Sequence, residues 1–300
     1  LPLKLSDFLA FIGGLWFAAM LYLILSLLLI DIVGFVTSLI PETDMAIADN
    51  LKIINTALFV VTSLTILALI IYGYLNALIP RIKKVEISID KSPPNLKSLH
   101  IAFASDIHLG HVIGKKSLSR ILTLINDLNP DLVLFPGDLV DEELKPVIDK
   151  NLGPAFQTLN PRYGVFAVTG NHEYIGGVNQ AVEYLSKFGV RFLRDETVKI
   201  DDKFYVTGRE DVSTYTFSGV PRIALKKLLE DTSSNLPVIL MDHQPIALME
   251  AEQASVDLQV SGHTHHGQMW PLQVITKRVF KLSWGFKKMG KSHFYVSSGA

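Results

Sequence analysis

The stretch DLQVSGHTHHG, Asp257–Gly267, decides how the rest of the chain is read. Its first half is a short apolar run, the pattern of a buried strand. A glycine closes the run, and His263, His265 and His266 follow within four positions. In open α/β folds, ligands gather beyond the carboxyl ends of strands. Histidines placed just past a strand are therefore candidates for chemistry.

The same arrangement recurs upstream. LHIAFAS runs into Asp106 and His108, and DLVLFPG into Asp138. YGVFAVTG runs into Asn171, His172 and Glu173, and LPVILMD into His243. KFYVTG and HFYVSSG read as further strands. KKSLSRILTLINDLNP has apolar residues at helical spacing and ends before a proline, and NQAVEYLSKFG reads as a helix closed by Gly189. PRIALKKLLED and IALMEAEQAS are expected to be helices as well. Alternating strands and helices imply sheets covered by helices. A single Asp, Asn or His after a strand is normally a turn or cap residue. Five such strand ends together predict one cluster, and oxygen and imidazole donors suit divalent transition metals. Gly137, Gly170 and Gly262 let the backbone turn beside those residues.

Composition narrows the setting. The 300 residues are 49% hydrophobic, and the net charge of −1 supplies no field toward nucleic acid. There is no cysteine, which excludes disulfides and thiolate metal sites. Apolar character concentrates at the start. Phe8 to Ile30 and Ile53 to Pro80 carry no charged residue, and each run is long enough to span a bilayer. A cleaved signal peptide has a shorter apolar region, and a buried core helix shows a polar face. Two transmembrane helices are expected, at about 6–30 and 53–79, forming a membrane hairpin over 1–80. Residues 81–96 are expected to hold a linker and first strand, and 97–300 the soluble domain. Trp16, Tyr22, Tyr72 and Tyr74 partly suit interfacial anchoring. The connection DIVGFVTSLIPETDMAIADN is acidic and lacks Lys and Arg, whereas Lys4 and PRIKKVEISIDK flank the outer ends. Positive charge at those ends puts them, and the soluble domain, on the cytoplasmic side of a multi-pass membrane protein. The start at Leu1 and the stop at YVSSGA suggest a piece of a longer chain, its C-terminus truncated.

DIH, GD, GNHE, the lone His243 and GHTH, in that order, resemble the calcineurin-like metallophosphoesterase superfamily. The resemblance covers about 97–300 and, with two membrane segments ahead of it, looks like a membrane-anchored bacterial member. It implies a four-layer α/β/β/α sandwich and two divalent ions, of Mn, Fe, Zn or Ni. Asp106, His108 and His265 would bind one ion and Asn171, His243 and His263 the other, with Asp138 bridging. In an extended segment His263 and His265 would point the same way, Thr264 would point away, and His266 would lie off the face. His172 matches the family's non-ligand histidine, placed to stabilise phosphoryl oxygens or protonate a leaving group. Asp141 and Glu173 would orient ligand imidazoles. Arg209 and His111 are candidate substrate contacts, Arg209 having a surface ion pair with Glu210 or Asp211 as its plainer reading. His100 reads as structural.

The implied function is a membrane-anchored phosphoester hydrolase that uses a metal-bridging hydroxide. Its substrate would be a phosphorylated small molecule or a lipid-linked phosphate. The alternative is a non-catalytic metal-binding scaffold of the same fold, which typically lacks ligands that are all present here. A transporter is disfavoured, because neither apolar run holds an ionisable residue. Beyond GHTH, Met269–Phe294 interleaves Trp270, Phe280, Trp284 and Phe286 with six Lys and Arg residues. Such a mixture favours a bilayer interface, and a lipid-bearing substrate could enter along it.

Overall fold

The computed structural model describes residues 2–91, 93 and 95–300, and along 41–49 and at 51 the backbone alone. The chain forms two compact units that meet in sequence at Pro80 and Arg81.

The first unit is a helical hairpin of α1 (Leu3–Ser38) and α2 (Pro41–Ala77). Both are long and apolar enough to cross a membrane, over Leu3–Ser38 and Lys52–Ala77, and neither span is buried in the protein. Trp16, Phe17, Phe59 and Tyr72 are exposed along them. Phe11 meets Tyr74 edge to face at 5.6 Å, tying the start of α1 to the end of α2. The stretch 31–50, expected as a connection, is almost wholly helical, and the reversal is confined to Leu39 and Ile40. Pro41 takes the first helical turn of α2, where its missing N–H is not needed. Of the four acidic residues of this stretch, Asp31 lies in α1, and the side chains of Glu42, Asp44 and Asp49 lie outside the described residues.

The second unit begins without the strand expected in 81–96. Among the described residues of that segment none pairs into a sheet. It is tied by side chains instead, Lys91 Nζ donating to Asp257 Oδ2 at 2.6 Å. The elements then alternate as β1 (Ile101–Phe103), α3 (Lys115–Asp127), β2 (Leu132–Pro136), α4 (Lys145–Asp149), β3 (Val165–Val168), α5 (Asn171–Gly176), α6 (Val178–Ser186) and β4 (Val190–Phe192). These strands form one parallel sheet in the order β1-β2-β3-β4. The chain continues through β5 (Glu196–Ile200), β6 (Phe204–Gly208), α7 (Ser213–Ser218), α8 (Leu225–Leu228), β7 (Val238–Met241), α9 (Leu248–Gln253) and β8 (Leu258–Ser261). It closes with α10 (Gln273–Val279), β9 (Gly285–Met289) and β10 (Ser292–Val296). The second sheet has the order β5-β6-β7-β8-β10-β9, parallel except at its two antiparallel edge pairs.

Strand alternation builds the layers. On β2, Val133 and Phe135 join the core under α3 and α6, while Leu132 and Leu134 join a core shared with Phe204, Val206, Ile239 and Met241 of the other sheet. On β7, Val238 and Leu240 turn the other way, onto Leu225 and Leu248. Three cores separate four layers, so the α/β/β/α sandwich is present. Strands with apolar residues on both faces are what a doubly covered sheet requires. Burying each large side chain contributes about 1.5–3 kcal/mol.

Candidate metal centre

The carboxyl ends of β1, β2, β3, β7 and β8 lead to Asp106, Asp138, Asn171, His243 and His263 respectively. Backbone bonds extend the sheets past their last strand residues and fix these loops. Asp106 N donates to Gly137 O at 3.1 Å and His108 N to Asp138 O at 3.0 Å, joining the loops after β1 and β2. Gly262 N donates to His243 O at 2.9 Å, joining those after β7 and β8. His263 N donates to Asp106 Oδ1 at 2.8 Å, which ties one sheet's loops to the other's.

Five residues of the cluster take left-handed backbone angles: Asp106 (φ 55°), His108 (52°), Asp138 (53°), His263 (71°) and His265 (45°). Each such residue costs of order 1–3 kcal/mol, and such costs gather at functional sites. The GHTH segment is therefore not extended as the sequence suggested. His265 opens a short 3-10 turn, and Thr264 is helical. Alternation does not aim the two histidines; the turn does. Thr264 points away as expected, its hydroxyl donating to Ser283 O. His266 sits off the cluster, its ring 5.3 Å from that of Trp284. Gly170 and Gly262 are needed for close approach, since a Cβ at either would strike the carboxylate of Asp138 or Asp106.

The side chains converge as two linked groups. In the first, His108 Nε2 and His265 Nε2 stand 3.2 Å apart, and His265 Nε2 is 3.6 Å from Asp106 Oδ1. In the second, Asn171 Oδ1 is 3.2 Å from His243 Nε2 and 2.9 Å from His263 Nδ1. Asp138 Oδ2 reaches both, 3.1 Å from His243 Nε2 and 3.8 Å from His108 Nε2. Asp106, Asp138 and His243 are buried, and the other imidazoles are half-buried.

The donor chemistry fits divalent ions. Three sets each bring three ligand atoms within 4.8 Å of one another: Asp106, His108 and His265; Asp106, Asp138 and His243; and His108, Asp138 and His172. His243 Nδ1 donates to Pro136 O at 2.9 Å, which leaves Nε2 to face the cluster. That is the usual tautomer lock of a ligand histidine. Burial, reinforced by the neighbouring imidazoles, lowers the pKa of His263 and of His265, favouring the neutral rings that metals bind. Burial opposes the ionised form of Asp138, yet the charge and hydrogen bond of His243 outweigh it and hold the carboxyl low. Burial likewise opposes charge on His243, but the adjacent Asp138 wins and raises its pKa well above the usual value.

His172 N donates to Asp138 Oδ1 at 3.0 Å, and its Nδ1 is 2.9 Å from Asp141 Oδ1. The bond to Asp141 raises the His172 pKa against the opposing effect of burial. Asp141 Oδ1 also lies 3.6 Å from His108 Nδ1, so it stands beside one ligand candidate while its hydrogen bond goes to His172. Glu173 does something else. It accepts three backbone amides: Gly170 at 2.7 Å, Asp138 at 3.1 Å and Val140 at 2.8 Å. Full burial, then the charge of Asp138, pushes its pKa up to about 7. The available signal was its place three residues after Gly170, the capping position whose carboxylate returns to the first amide of a helix.

Arg209 is a correction. Its guanidinium is buried, with Nη1 2.8 Å from Glu250 Oε2 and 3.3 Å from Asp242 Oδ2. It pairs with neither Glu210 nor Asp211; Nη1 meets the two carboxylates, Nη2 donates to Ile223 O at 3.3 Å, and the side chain is buried rather than open to phosphate. Asp242 is shared with Arg222 Nη1 at 2.8 Å, so Arg209, Arg222, Asp242 and the partly exposed Glu250 form one charge network, with Asp242 next to His243 in sequence. His111 lies in a turn whose carbonyls, of Gly110 and His111, accept Lys150 Nζ at 2.8 and 2.9 Å. His100 precedes β1, exposed and away from the cluster's loops, its amide donating to Asp131 Oδ2 at 2.9 Å.

Residues 99–267, which contain every residue of the cluster, match the family model described as calcineurin-like phosphoesterase. A bovine transmembrane protein with metallophosphoesterase domain is 35% identical over 76% of this chain and 54% of its own length. A zebrafish protein of the same description is 33% identical over 70% of this chain and 52% of its own. An uncharacterised metallophosphoesterase of Campylobacter jejuni is 30% identical over 90% of this chain and 70% of its own. The chain thus spans about half the length of the two vertebrate relatives.

Proposed function

Because the chain belongs to the calcineurin-like phosphoesterase family, we propose that it is a membrane-anchored, metal-dependent phosphoester hydrolase. The observation that carries this reading is Asp138, whose Oδ2 faces an imidazole of each linked group. Asp106, His108 and His265 would hold one divalent ion, Asn171, His243 and His263 a second, and Asp138 both. Ions bound there would supply Lewis acidity to phosphoryl oxygens and acidify water enough to give hydroxide near neutral pH.

The chain's own residues supply orientation and a proton. Asp141 holds His172 Nδ1, which leaves Nε2 for a phosphoryl oxygen or the leaving group. The amide of His172 holds Asp138 Oδ1, which leaves Oδ2 turned to the imidazoles. His111, three residues past His108, is the candidate substrate contact. The two apolar helices anchor the chain as a multi-pass membrane protein. Lys4, Arg81, Lys83 and Lys84 at their outer ends support a cytoplasmic catalytic domain. A phosphate carried on a lipid suits that setting, alongside soluble phosphoesters.

The test is hydrolysis by the detergent-solubilised chain with added Mn²⁺, using a chromogenic phosphodiester and a panel of soluble and lipid-linked phosphates. Turnover that requires the metal and disappears in Asp138→Asn supports the reading. A chain that binds metal but hydrolyses no member of the panel would overturn it in favour of a scaffold.

A further inference from the structure

Beyond the turn at His265–Gly267, the second unit exposes a run of apolar side chains interspersed in sequence with cations. Trp270 is 67% exposed, Ile275 59% and Val279 68%, and Trp284 and Phe286 are more than two-fifths exposed. Ile275 and Val279 are one turn apart on α10 and so share a face. Trp284 immediately precedes β9 and Phe286 lies on it, at the edge of the sheet, so both exposed rings sit where the chain enters that edge. Exposed apolar groups clustered this way mark an interaction site in a folded protein. Lys277 and Arg278 lie on the same helix and Lys281 just past its end, and Met269–Phe294 contains no acidic residue. The face is also built onto the site, with Phe280 6.0 Å from the ring of His263 and Trp284 5.3 Å from that of His266.

We propose that the face formed by Trp270, α10 and the start of β9 docks on an anionic lipid bilayer, as a contact separate from the two apolar helices. Exposed indole and aliphatic side chains ringed by lysine and arginine match the headgroup region, with rings and aliphatics below and cations on anionic lipid. A nucleic acid would use the cations but give no partner to Ile275 and Val279. The same chain carries helices fit to cross a membrane, so a bilayer is the surface this face meets at high local concentration. The docking does not depend on the hydrolytic reading, and hydrolysis is measured separately below.

The chain has no cysteine, so Ile275→Cys gives a single labelling position. The full chain is labelled there with an environment-sensitive fluorophore and reconstituted into phosphatidylcholine vesicles with and without phosphatidylglycerol. Lipids carrying a quencher on the acyl chain report depth. Docking predicts quenching by lipid in the anionic vesicles, weakened by high salt. Each cation at such a surface is worth about a 5-fold change, so Lys277→Glu, Arg278→Glu and Lys281→Glu together, which remove three cations and add three anions, should weaken the docked population by at least about 10²-fold. Hydrolysis of a soluble phosphodiester by the same variant in detergent should match the parent, which shows that it is folded. Three results would overturn the proposal: a label quenched equally from water in both vesicles, lipid quenching indifferent to the charge reversals, or cross-linking of the unlabelled Ile275→Cys thiol to a second copy of the chain.

Discussion

The Glu173 carboxylate lies behind Asp138 and accepts its amide at 3.1 Å, so one acid positions the backbone of another. The same carboxylate takes the amides of Gly170 and Val140. Replacing Glu173 by Ala strands three buried donors, each costing about 1–3 kcal/mol. The expected outcome is a loss of several kcal/mol, read as a lower unfolding temperature in detergent, together with weaker metal retention. Glu173→Gln keeps one acceptor oxygen and should fall between the two. An Ala variant that unfolds with the parent would mean that the carboxylate does not hold this turn.

Asp138 should be the residue whose charge couples the two imidazole groups. Asp138→Asn keeps the shape and removes the charge. Activity should vanish and metal content should drop by at least one ion per chain, as measured by elemental analysis of metal-supplied protein. A parent chain that retains only one ion would show that the bridging assignment is wrong.

His172 and Asp141 should separate chemistry from metal binding. His172→Ala should lower turnover by about 10²–10⁴-fold with metal content unchanged, the scale of general acid–base assistance. Loss of metal would instead place His172 with His108 and Asp138 as a ligand, a set the geometry also allows. Asp141→Asn should lower turnover less, because the imidazole stays while its tautomer loses its partner.

Arg209 should matter to folding and not to phosphate. Arg209→Met leaves buried Asp242 with Arg222 alone and Glu250 without its closest cation. Because Asp242 keeps Arg222 and Glu250 is partly exposed, the loss is that of hydrogen bonds to charged groups, about 1.5–3 kcal/mol. Unfolding temperature should drop, while KM for a soluble phosphoester in the surviving folded fraction stays at the parent value. A large rise in KM with normal stability would restore Arg209 as a substrate contact.

Much of this was legible in the sequence because its signals are local. Buried strands announce themselves as unbroken apolar runs, and Asp106, Asp138, Asn171, His243 and His263 each follow one closely. Where the sheet is covered on both faces, the run is long enough to read. The edge strand β4 was missed because it has only 3 residues, and the edge strands β5 and β9 for the converse reason. Glu196–Ile200 and Gly285–Met289 are half-exposed, and they are strands only because β6 and β10 lie beside them. The segment 81–96 has strand-like residues and, among those described, no such neighbour.

Residue types and their order along the chain determined that five strand ends would share one cluster, and that two apolar helices would precede it. Tertiary structure decided how the cluster is aimed. The left-handed turns at His263 and His265, and not strand alternation, point these rings toward Asn171 and His108. It also decided the partners of buried charge, giving Arg209 to Glu250 and Asp242 rather than to its sequence neighbours. The physical reason is range. Periodicity and capping act over a few residues, whereas a buried charge or a strained turn is stabilised by whatever the fold brings against it from far along the chain.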